Sequence, residues 1–295
     1  MKRTLISMVV LVLAAVAVGA QNLAISYVEG HVELQCGQSW QELNIGDSIP
    51  ANATVRLGAD SYLEIAGGAQ TISLSQSGSY AVNRLLSDSR QMSSAGVGSA
   101  LSARLVALFG TPTTKSATMG VRAKKAEDDN GISWVTSDAQ VYVDSGKEYI
   151  KSGDYQKAVD ELKQAVDYAT GGELPEAQYY LGYAYSLAGN TRDALKQVGG
   201  LKPGDVETVA ADLVILKGTL LLDTSAFEQN VHWLTENAGL VSGDSERGPV
   251  YYLLLGLSYN GVGDKTNARE NLQKVVSLAG SSDLGTTAAT LLQQL

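Results

Sequence analysis

The side chains best equipped for catalysis are few and far apart. The chain has two histidines, His31 and His232, and one cysteine, Cys36. A zinc site needs several His, Cys or carboxylate ligands at close spacing, and no such run exists. A lone thiol makes no internal disulfide. In a strand context Cys36 is expected as a buried small hydrophobe. With only His31 close in sequence, it lacks the setting of a reactive thiolate. His232, beside Trp233, reads as a packed or half-exposed helix residue. There is no phosphate-cradling P-loop, no Gly-x-Ser-x-Gly nucleophile turn and no Ser-x-x-Lys set. Gly261-Val262-Gly263-Asp264 is glycine-rich but follows a helical pattern. Asp128-Asp129 sits in no EF-hand pattern. Asn52-Ala53-Thr54 matches a glycosylation acceptor, with nothing else in the chain to support it. No acid, base and nucleophile converge, so no catalytic residue, metal ligand or cofactor is expected.

What the second half of the chain offers instead is repetition. Gly146, Gly182, Gly218 and Gly256 recur at intervals of 36, 36 and 38 residues. Around each, a helical pattern runs about a dozen residues, breaks at a turn and resumes, which describes stacked supersecondary units. Small residues follow in the second half of each unit at Ala158, Ala194 and Ala268, with Asn230 in the third. Tyr149, Tyr185 and Tyr259 are matched by Leu221, and the turn glycines Gly153, Gly189 and Gly263 by Ser225. The pattern resembles the tetratricopeptide repeat, a helix–turn–helix of about 34 residues, with units one, two and four matching well and unit three degenerate. The glycines are expected where two antiparallel helices approach too closely for a side chain. Helices are expected over 139–152, 155–168, 175–188, 191–198, 208–222, 226–237, 248–261 and 265–278. Residues 282–295 are expected as a capping helix, since a repeat stack needs a polar outer face at its end.

The resemblance also implies a surface. In that family, four positions of each first helix line a concave groove. Here they are Gln140, Val143, Lys147 and Ile150 in unit one, and Glu176, Tyr179, Tyr183 and Ser186 in unit two. Unit three supplies Asp212, Ile215, Thr219 and Leu222, and unit four Val250, Leu253, Leu257 and Asn260. The partner-binding set expected from these is Lys147, Ile150, Tyr179, Tyr183, Thr219, Leu222, Leu257 and Asn260. It is apolar and aromatic with few charges, suited to an extended or helical protein segment. Tyr179 and Tyr183 lie four apart and share a helix face. They are either the groove's aromatic anchors or packing against the next repeat.

Residues 22–82 change texture. LAISYV, HVELQC, TVRL, SYLEIA, TISLS and SYAV are short alternating runs separated by Gly, Asn, Asp and Pro. They read as a small β-sandwich or roll, with Leu34, Trp40, Leu43, Ile49, Val55, Leu63, Ile65, Ile72 and Leu74 as its core. The order Gly30-x-Val32, Trp40, Leu43, Gly46-Asp47, Val55, Ser61-x-Leu63, Gly68, Ile72-x-Leu74 resembles the FecR-type domain of exported bacterial proteins. Gly120-Val121-Arg122 fits that family's closing strand, with Ala123 in place of its last glycine. Arg56-Leu57-Gly58 stands where its usual threonine would follow the central valine. The resemblance implies an extracytoplasmic binding or scaffolding module.

Lys2 and Arg3, an apolar run from Leu5 to Val18 and small residues up to Ala20 form a secretory signal, with cleavage expected after Ala20. The run is shorter than the ~20 residues a membrane span usually needs. The domain organisation expected is therefore 1–20 signal peptide and 21–86 FecR-like β domain. A linker over 87–131 carries a short amphipathic helix over 100–109, and 132–295 holds four repeats with a cap. The charge cluster from Lys124 to Asn130 is expected as a solvated face. A formal net charge of -9 and a pI near 4.8 argue against nucleic acid as a partner. The fold class expected is all-β followed by an all-α solenoid. The function expected is that of a non-catalytic periplasmic or cell-surface scaffold that binds a protein or peptide segment. The alternative is that the β domain binds an envelope glycan, peptidoglycan, while the repeats recruit a partner enzyme.

Overall fold

A computed structural model describes residues 23–67, 70–94, 97–98, 101, 107 and 137–295. The expected signal segment, most of the expected 100–109 helix, the Gly-Val-Arg segment and the charge cluster at 124–130 lie outside the described residues. Among the described residues no helix is long and apolar enough to cross a membrane.

The alternating runs fold as eight strands: β1 Leu23–Glu29, β2 Val32–Cys36, β3 Ser39–Glu42, β4 Ser48–Ile49, β5 Thr54–Leu57, β6 Tyr62–Gly67, β7 Gln70–Leu74 and β8 Gly78–Ala81. They form two four-stranded antiparallel sheets, β4-β1-β6-β7 and β3-β2-β5-β8. Alternation places Leu23, Ile25, Leu63, Ile65, Ile72 and Leu74 of one sheet against Val32, Val55 and Leu57 of the other in one apolar cluster, as sheet-on-sheet packing requires. Gly30 turns at φ 77. A side chain there would strike Ser61, whose buried hydroxyl accepts from the His31 backbone at 2.9 Å.

Three expectations in this half need correction. Trp40 and Leu34 are only partly buried. Trp40 lies on the edge strand β3, its ring covered by the Arg56 guanidinium at 4.2 Å. Cys36 is exposed rather than buried, because β2 ends there at the hairpin. Helix α1, Val82–Ser94, occupies the start of what was expected as linker. Val82, Leu85 and Leu86 close the base of the sandwich, and their three- and four-residue spacing was a legible helix signal.

The repeats are α2 Asp138–Ser152 with α3 Tyr155–Tyr168, α4 Glu173–Leu187 with α5 Thr191–Val198, α6 Ala210–Asp223 with α7 Phe227–Glu236, and α9 Arg247–Val262 with α10 Lys265–Ala279. The short α8, Ala238–Val241, was not anticipated; α11, Asp283–Gln294, is the cap. The glycine register accounts for the hairpins. A Cβ on Gly146 would sit 2.4 Å from Leu162, on Gly182 2.5 Å from Val198, on Gly218 3.0 Å from Leu234, and on Gly256 2.9 Å from Leu272. Each glycine meets the residue at the same offset in its partner helix. Asp154, Asn190 and Asp264 then cap the second helices of units one, two and four, supplying acceptors to otherwise unpaired backbone N–H groups.

The β domain is fastened to the array. Lys196 on α5 pairs with Glu29 at 3.0 Å, and Arg192 lies over the Tyr27 ring at 4.3 Å. Ser75 donates to the Thr224 hydroxyl at 2.8 Å. Arg84 of α1 donates to the Gly261 carbonyl at 2.9 Å. The sandwich thus touches units two and three, and α1 touches unit four.

Candidate protein-binding groove

The positions expected to line the groove divide by unit. In unit one, Lys147 and Ile150 are half-buried and reachable. The Lys147 ammonium sits 4.6 Å from the centre of the Tyr180 ring, a cation–π contact across units one and two. Tyr142 stacks on Tyr168 at 5.4 Å, with Tyr168 and Val141 both exposed. This end of the array presents aromatic and aliphatic surface with one fixed positive charge.

Unit two differs from the expectation of aromatic anchors. Tyr179 is 0% exposed and Tyr183 2%. Both belong to one apolar cluster with Leu213, Leu216 and Leu220 of α6. Desolvation by burial pushes the hydroxyls of both rings above the ordinary tyrosine range. The second of the two sequence alternatives, packing against the next repeat, describes these rings. A truncation at either position removes core packing rather than a groove contact. The physical reason is the bulk of α6, buried from Asp212 to Leu222, which lies directly over them.

In units three and four the groove positions are covered. Thr219, Leu222 and Leu257 are buried, along with Ile215 and Leu253, while Asn260 is half-buried. Ile215, Leu222, Leu253 and Leu257 share one apolar cluster with Val97 and Leu101, both 3% exposed, and Met92 packs against it. Val97 and Leu101 are helical and four residues apart.

Beneath this surface lies a buried polar network that the sequence did not signal as one. Asp212 of α6 accepts from the Arg247 Nε at 2.7 Å, and Asp244 pairs with the same guanidinium at 3.2 Å. Burial pushes the Asp212 carboxyl up, and Arg247 pulls it back. Lys217 donates to the Gly199 carbonyl at 2.6 Å and lies 4.1 Å from the Trp233 ring. Asn230 donates to the Gly218 carbonyl at 2.8 Å and to Ser258 at 2.9 Å. These groups face one another and the backbone, as core polar residues do, with the buried Asn230 Oδ1 left without a hydrogen-bond partner. Among the described residues, no three His, Cys, Asp or Glu side chains lie close enough to hold a metal ion. His31 pairs with Glu33 and His232 with Glu236, each on the surface. Cys36 has Gln41 for its side-chain partner, not a base.

Residues 139–170 and 249–282 match the sequence profile of the tetratricopeptide repeat, so the chain carries these repeats at its first and fourth units. Among solved structures it is similar to MamA, residues 41 to the end, from Desulfovibrio magneticus RS-1. That likeness has 20% identity and a TM-score of 0.42, over 53% of this chain and 92% of that one. A MamA RS-1 ArsTM double mutant is similar at the same 20% identity, TM-score of 0.42 and shares of the two chains. No curated protein matches the chain.

Proposed function

We propose that this is a non-catalytic scaffold, exported to the periplasm or cell surface, that holds a protein or peptide segment on the first two repeats. The observation that carries the reading is the reachable surface of unit one. Lys147 and Ile150 remain accessible there, beside Tyr180, while Thr219, Leu222 and Leu257 at equivalent positions of units three and four are buried and only Asn260 is half-buried. Repeat arrays of this kind present extended concave surfaces to protein partners. A segment with apolar anchors and an acidic residue opposite Lys147 suits the site. The FecR-like reading of the sandwich and the signal at 1–20 support export. Placing a photo-crosslinking residue at position 147 in the cell that makes the protein tests this. A protein adduct from 147, with none from exposed Asp160 on α3, is the expected result. Equal adducts at both positions, or none at 147, would remove the groove from consideration.

A second reading assigns the sandwich an envelope glycan. One observation favours it: Trp40, Arg56, Glu33 and His31 form a connected group on the outer face of the second sheet. Trp40→Ala in the full chain should then lower co-sedimentation with purified peptidoglycan at least fivefold. Unchanged sedimentation would leave the first reading alone.

A further inference from the structure

The sandwich and the array keep separate cores. Among the described residues, the apolar cluster between the two sheets holds no residue of the repeats, and the three apolar clusters of the array hold no residue of the strands. Helix α1 enters both. Its Val82, Leu85 and Leu86 lie in the cluster of the sandwich, while Met92 packs against the cluster of the last two units. The same helix packs against α11, and its Arg84 donates to the Gly261 carbonyl at 2.9 Å. The strands meet units two and three differently, through polar groups. Lys196 pairs with Glu29 at 3.0 Å, the two side chains 51% and 40% exposed. The Arg192 guanidinium lies 4.3 Å from the centre of the Tyr27 ring, and Ser75 donates to the Thr224 hydroxyl at 2.8 Å. Donation by Lys196 holds the Glu29 carboxyl below its usual range, so the pair is charged at neutral pH.

We propose that the sandwich is a salt-sensitive clamp that pivots on α1 and, when shut, fixes the angle between units two and three. A joint between domains moves unless its interface is large and apolar, and the contacts at units two and three are polar. Exposed ion pairs are weak and are screened by salt. A repeat stack bends by small rotations between neighbouring units. Glu29 and Tyr27 grip unit two while Ser75 grips unit three, so one sandwich spans the joint between them. The inference is independent of what the first two repeats bind.

Electron paramagnetic resonance distances between paired spin labels test this in the full chain carrying Cys36→Ser. One pair, Glu42→Cys on β3 with Gln164→Cys on α3, reads the sandwich against unit one. The other, Gln164→Cys with Gln229→Cys on α7, reads unit one against unit three. All three positions are exposed. At about 0.1 M salt each pair should give one narrow distribution. At about 1 M the screening length falls from ~10 Å to ~3 Å. The first pair should then gain a second population displaced by about 5 Å or more, as a hinge motion gives, and the second pair should broaden. Arg192→Glu/Lys196→Glu should produce the same open distributions at the lower salt. Lys163→Glu/Lys274→Glu, the same change of net charge on exposed residues away from the joint, should leave both pairs closed. A pair that fails to respond to salt or to the Arg192 and Lys196 reversal overturns the proposal, and so does equal opening by the control. Should the reversed variant lose its helical circular dichroism, Glu29→Gln decides with the same pairs, and distances unchanged from the unaltered chain overturn the proposal equally.

Discussion

Units one and three solve the same packing problem with different residues. In unit one the turn rests on Gly153 at φ 78 and the second helix on an Asp154 cap. In unit three Ser225 takes the left-handed conformation at φ 53, a region that costs a non-glycine residue about 1–2 kcal/mol. Its second helix has no side-chain cap at all. Yet α6 is the most continuously buried helix of the array, from Asp212 to Leu222, whereas α2 buries only Ala139, Val143 and Gly146. The unit that has lost the signature is the one most enclosed. It is flanked by units two and four and touched at Thr224 by Ser75 of the sandwich, and its Val214, Ile215 and Leu222 belong to the large apolar cluster of the last two units. Local turn chemistry matters most where tertiary burial is least.

Four substitutions sharpen that contrast. Asp212→Ala should have the largest effect. It removes the more buried of the two carboxylates on the Arg247 guanidinium, 8% exposed, leaving Asp244 at 3.2 Å, so the cost should fall at the lower end of the about 3–5 kcal/mol for breaking a buried pair. Urea unfolding of the variant should show it as a lower midpoint. Gly182→Leu should follow, at about 3 kcal/mol, since overpacking costs ~1–3 kcal/mol and Val198 stands 2.5 Å from the new Cβ. An unchanged melting temperature would place the glycine register in error. Ser225→Gly should stabilise by about 0.5–1 kcal/mol, the left-handed strain relieved less the extra entropy of glycine. The smallest effect should be Gly218→Ala. Its neighbours begin at 3.0 Å rather than 2.4–2.5 Å, and the ~1 kcal/mol helix preference for alanine offsets the crowding. A calorimetric shift of more than a few degrees there would mean unit three is as tightly packed as units one and two.

Much of the array was legible because glycines at helix crossings and turns leave a periodic trace that burial does not blur. The eight expected hairpin helices match those observed within a few residues. The alternating runs likewise announced the strands, although Trp40, an expected core residue, proved to be the surface face of an edge strand. The groove was not legible. Position within a repeat tells which residues face inward along the stack, but not whether another helix or the chain's own N-terminal half lies on top of them. That depends on Tyr179 meeting Leu213, and Leu253 sharing a cluster with Val97, contacts between residues far apart in sequence. Asn230 misled in the same way. As a departure from Ala158, Ala194 and Ala268 it signalled decay, yet its amide bridges Gly218 to Ser258 across two units.

Native-state hydrogen exchange measures the central contrast directly, because exchange by local opening tracks how a segment is buried and held. Amides of α6 should be the slowest of the array, and those of α2 and α3 faster despite their well-formed turn and cap. If α6 instead exchanges as fast as α2 and α3, burial does not compensate for the lost signature, and unit three is a weak link rather than the enclosed centre of the stack.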